Sequence, residues 1–171
     1  MFKSKWRVAT TCFLGLLLLA GGTICAQQFD QAPEDQKAAQ MVCQLVHRFH
    51  ISQKKIDDDI SRKTLKRYIE SVDPLKLYFI KKDIEGFKKF ETKLDDQLLK
   101  GDVKFAFAVH QGYLERVRRQ AKLAATYIKA EHDFTVDEAR IANPKFLDWC
   151  SSTKELNERW RKRIKAELLG K

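Results

Sequence analysis

Proline and glycine are scarce in this chain, 3 and 7 among 171 residues. An all-β fold needs frequent tight turns and alternating apolar and polar runs, and the sequence is poor in both. No glycine-rich phosphate loop occurs, and no zinc-ligand spacing. No serine follows the glycine pattern of a nucleophile elbow. Neither Cys43 nor Cys150 has a base beside it in the sequence. His47 and His50 stand three apart on one predicted helix, and two histidines alone make a weak metal site. Asp57-Asp58-Asp59 lacks the glycine and downstream glutamate of a calcium loop and reads as a solvated turn. Asp95 and Asp96 read as a charged helix flank. The residues therefore name no catalytic, cofactor-binding or metal-binding position.

What is present points to helices. The chain is 44% hydrophobic and 33% charged, a globular balance. The expected fold is all-α, about five to six helices behind a signal peptide. Residues 1–26 carry the leader pattern: Lys3, Lys5 and Arg7, then an apolar run through Ala20, then small residues at Cys25 and Ala26. The same features also fit an uncleaved N-terminal anchor. Residues 27–171 form the expected helical domain. Removing the leader lowers the net charge from +10 to +7. That excess suits an acidic partner or an anionic surface, and it equally suits lysine-rich solvated helix faces.

Two cysteines remain after the leader, Cys43 and Cys150. In an oxidising compartment they are candidates for a disulfide closing about 107 residues, worth up to ~4.7 kcal/mol in the chain-entropy model. Two buried free thiols on apolar helix faces are the alternative.

Apolar spacing lays out the helices. Pro33-Glu34-Asp35 opens the first, with Ala38, Val42, Leu45, Val46 and Phe49 on one face. A short element begins at Ile51 and passes Ile56 and Ile60. Ser61 is the expected cap of a helix from Thr64 to Val72, which Asp73-Pro74 ends. Leu75, Leu77, Tyr78, Phe79 and Ile80 then plug a corner. A helix from Asp83 to about Leu99 stops at Gly101, and Asp102 caps the longest helix, to about Ala130. Its inward stripe is Ala106, Val109, Tyr113, Val117, Ala121, Ala124 and Ile128, with Arg116, Arg118, Arg119 and Lys122 outside. Residues 131–144 are irregular, after which Phe146, Leu147 and Trp149 are expected to be buried. Ser152 and Glu155 form a capping box for the last helix. Its apolar face, Trp160, Ile164, Leu168 and Leu169, runs out with the chain and is the expected interface with a missing neighbour.

Asp73-Pro74 followed by Tyr78-Phe79, Lys82-Asp83-Ile84 and Phe87, then Lys100-Gly101-Asp102 and Glu155-Leu156-Asn157 with Trp160, resembles the N-terminal helical domain of the tail-specific (carboxy-terminal processing) proteases. The resemblance implies an exported, periplasmic protease family with a Ser-Lys dyad and a PDZ module, both downstream of the helical domain. No catalytic residue of that family maps onto this sequence, which reaches Lys171 before either part begins. The resemblance implies a non-catalytic scaffold for PDZ and protease domains or an adaptor, inactive alone. The alternative is a stand-alone exported helical module whose run from Arg159 to Lys165 makes weak contact with an anionic membrane surface or binds a protein. An exported chain is directed away from nucleic acid.

Overall fold

The computed structural model describes residues 30–51, 55–141 and 143–170. Among these, six α-helices are joined by turns and two 3-10 segments: α1 (Pro33–Phe49), α2 (Asp58–Val72), α3 (Lys81–Phe87), α4 (Leu94–Leu99), α5 (Lys104–Lys129) and α6 (Thr153–Leu169). No strand occurs among the described residues; Ile80 and Cys150 form one isolated parallel bridge. The leader pattern lies outside the described residues, as do residues 52–54 of the short element expected after Ile51.

The corner after α2 is built around one carboxylate. Pro74 stops the helix at Val72, as expected, and Asp73 is 1% exposed. Its two oxygens accept from the backbone N–H groups of Leu77, Tyr78 and Phe79, each at 2.9 Å. These three donors would otherwise be buried without partners. Lys76 takes a φ of 50° to bring the chain round, a left-handed conformation that is uncommon outside glycine. The reward is the placement of Phe79, which is 0% exposed and central to the core formed by Leu65, Ile69, Leu94, Phe105 and Val109. Phe87 meets Phe79 edge-on at 5.4 Å, and Arg116 of α5 lies 5.3 Å above the Phe79 ring. Arg116 is thus no part of a free basic stripe. It also pairs with Asp83, Nη2 to Oδ1 at 2.5 Å.

Several expected boundaries move, each for a local reason. α2 begins at Asp58, because Asp57 accepts from the N–H groups of Asp59 and Ile60 and so caps it. Ser61 is instead buried, and its hydroxyl accepts from Leu94 N–H at 3.0 Å, tying α2 to the start of α4. The helix expected from Asp83 to Leu99 is broken by a 3-10 turn, Lys88–Phe90. Tightening there lets both Phe87 and Phe90 reach Phe105, at 6.1 and 4.6 Å. Val103 occupies the boundary position of α5 and its N–H donates to the side chain of Gln31, while Asp102 Oδ1 accepts from Lys104 N–H at 3.0 Å and so caps the first turn as expected. Along α5 the inward face drifts: Val109 and Gln120 are buried, whereas Ala121 and Ile128 are exposed. Asp95 is buried on α4 rather than lying on a solvated flank.

The described parts of the irregular segment, 131–141 and 143–149, lie along α6 as a strap. Lys165 Nζ donates to Val136 O at 3.0 Å and to Glu138 at 2.8 Å, and Arg161 pairs with Glu138. Arg159 donates to the carbonyls of Lys76 and Asp148, and Lys76 Nζ donates to Leu147 O. Trp149 packs against the core, but Phe146 is 73% exposed and buries nothing. Ser152 caps α6 as expected, accepting from Glu155 N–H. Glu155 does not reach back to Ser152; it accepts from the N–H and hydroxyl of Ser151, both at 2.7 Å.

Candidate functional site

The described residues offer surfaces more plainly than a cluster of reactive side chains. Both thiols are free and buried. Cys43 donates to Leu98 O at 3.4 Å under α1, while Cys150 sits at the bridge to Ile80. Burial pushes both thiols above their ordinary range, so they stay protonated at neutral pH, the reverse of what a nucleophile needs. Among the described residues, no three histidine, cysteine or carboxylate side chains converge as a metal site would require. His47 on α1 and His50 just past its end are both exposed.

The residues of the expected interface on α6 are partly engaged within the domain. Ile164 is 8% exposed, and the Trp160 indole N–H donates to Leu77 O at 2.7 Å while its ring stands 5.8 Å from Tyr78. Leu168 is half-buried, and only Leu169 of that set stands well exposed. The polybasic run of α6 is similarly reduced, because Arg159, Arg161 and Lys165 are engaged with the strap and the corner. Arg161 and Lys165 hold the Glu138 carboxyl down at about 2.

Among the described residues, a large unpartnered apolar surface lies on α1 instead. Met41, Val42, Leu45 and Phe49 are each at least half exposed. They recur at helical spacing on one stripe, with Val46 beside them. The opposite side of α1 holds the helix to the domain through polar contacts. Gln36 and Gln40 donate to Lys100 O, Cys43 to Leu98 O, and Gln31, just ahead of the helix, to Gly101 O at 2.5 Å. These acceptors lie at the C-terminus of α4: Lys100 O and Gly101 O just past its last residue, and Leu98 O, which also accepts from Gly101 N–H. Gly101 makes the approach possible: its φ is +77°, and a Cβ there would lie 2.6 Å from Gln36 O. Sequence spacing identified the apolar stripe of α1 but not its direction. The signal that was overlooked is the glutamine series Gln36 and Gln40 in line with Cys43, which marks the true inward side.

Fold and surface define a class: a small all-helical domain whose polar side chains secure its own loops and whose thiols are closed in. Among the described residues, no helix is long and apolar enough to cross a membrane. Comparison with known proteins supplies the family. Residues 41–171 match the model of the tail specific protease N-terminal domain, and the chain belongs to that family. A tail-specific protease of Haemophilus influenzae is similar, 27% identical over 144 residues, which cover 80% of this chain and 20% of that protein. The chain thus spans about a fifth of the length of that curated relative.

Proposed function

We propose that this domain is a non-catalytic scaffold of an exported, periplasmic tail-specific serine protease. It contributes no catalytic residue and no cofactor site. It packs against the PDZ and protease portions of such an enzyme, or against an adaptor that serves them. The observation that carries the reading is the α1 stripe, Met41, Val42, Leu45 and Phe49, exposed on a helix whose other side is already anchored. Contiguous apolar surface of this kind marks an interaction site more often than scattered exposed residues do. Family membership supports the identity of the partner, since the similar protease extends well beyond this domain.

The test is an affinity measurement between the chain and the PDZ–protease polypeptide of its source organism. Val42→Asp with Leu45→Asp should abolish binding while leaving the circular dichroism of the chain unchanged. Unaltered affinity would remove the α1 stripe from the interface. The chain alone should leave peptides with nonpolar C-termini uncut, and measurable hydrolysis would contradict a scaffold role.

A further inference from the structure

Between the strap, the corner and α6 lies a cavity of about 220 Å³. Its apolar part is aliphatic, made by Leu75 and Leu77 of the corner and by Ile141 and Leu147 of the strap. Arg140, Lys162 and Arg163 stand around it. Unlike Arg159, Arg161 and Lys165, these three cations form no hydrogen bond or ion pair among the described residues. The two acids at the cavity are already engaged: Glu158 pairs with Arg161 at 2.6 Å, and Glu155 accepts from Ser151. The local balance is therefore positive around an apolar floor.

We propose that this cavity binds a medium-chain aliphatic carboxylate. The charge selects an anionic head, which the free guanidinium groups can bind in bidentate fashion. The aliphatic floor selects the tail, and the volume suits an alkyl chain on the order of eight carbons by comparison with the bulk of liquid water. A peptide strand is the poorer occupant, because it needs backbone partners. The neighbouring strap carbonyls are already taken, Leu147 O by Lys76 and Asp148 O by Arg159. The site is separate from the α1 stripe, so either reading stands without the other.

Octanoate is the probe, titrated into the full chain and followed by amide chemical shifts. The expected result is saturable movement of the resonances of Arg140, Ile141, Lys162 and Arg163, weakening as salt rises. Octanol should bind about tenfold more weakly, since it lacks the charge-assisted contacts. Octylammonium should not bind. Lys162→Gln with Arg163→Gln should weaken octanoate binding to the level of octanol. Ile141→Asp, at a position 55% exposed and outside the core, should abolish it without disturbing the fold. Equal binding of octanoate and octanol, shifts centred elsewhere, or undiminished binding to Ile141→Asp would overturn the proposal. So would a glutamate-rich peptide that occupies these residues when octanoate does not.

Discussion

The corner at Asp73–Ile80 and helix α1 are both rich in apolar residues, a dense run in the one and a helically spaced stripe in the other, and they meet opposite fates. At the corner the apolar residues turn inward: Leu77 is 5% exposed and Phe79 0%. On α1 the predicted stripe turns outward, with Phe49 69% exposed. The difference lies in what each segment's polar groups find. Asp73 meets three amides that need an acceptor, and satisfying them drives the chain around Phe79. On α1 the glutamines meet carbonyls at the end of α4 that need donors, and satisfying them fixes the helix with its apolar side away from the domain. Apolar periodicity says that a face exists; the polar partners decide which way it points.

The strongest way to break this contrast is at Asp73. Replacement by alanine leaves three buried amides unsatisfied and should cost about 3–5 kcal/mol, read as a lower urea midpoint. A loss below about 1 kcal/mol would mean that apolar packing alone sets the corner. Gly101→Ala acts on the other region. It places a Cβ against Gln36 O in a left-handed conformation and should cost about 1–3 kcal/mol. The loss should appear as faster hydrogen exchange in α1, with α2 and α5 unchanged.

These two sites also show what the sequence made legible. Asp73-Pro74 announced the corner, and Gly101 announced a positive φ, because proline and glycine carry backbone information by themselves. Ser61 misled, since a polar side chain near a helix start can cap it or bond elsewhere, and the choice depends on a distant partner such as Leu94. The surroundings of Trp160 were hidden for a related reason. Leu77 and Tyr78, far away in the chain, fold back to cover Trp160. The basic run of α6 gave no warning that Glu138 on the strap would meet both Arg161 and Lys165.

Acid sharpens the comparison at the strap. The Glu138 carboxyl, held down at about 2 by Arg161 and Lys165, ionises more readily folded than unfolded, where its ordinary value is 4.5. Its stabilising contribution is therefore complete above pH 4.5 and is lost as pH falls toward about 2. Glu138→Gln should remove that acid limb from a stability profile, and the corner around Asp73 should stay intact in the variant at neutral pH. The smallest effect is expected on α1. Leu45→Ser, half exposed, should change the stability of the chain by no more than about 0.5 kcal/mol. A larger loss would show that the stripe is packed within the chain.

The most direct measurement is hydrogen exchange of the chain alone and in the presence of the PDZ–protease polypeptide. Slower exchange across residues 41–49 of α1, with α6 unaffected, is the predicted result. Protection confined to α6, or none anywhere, would contradict α1 as the docking face.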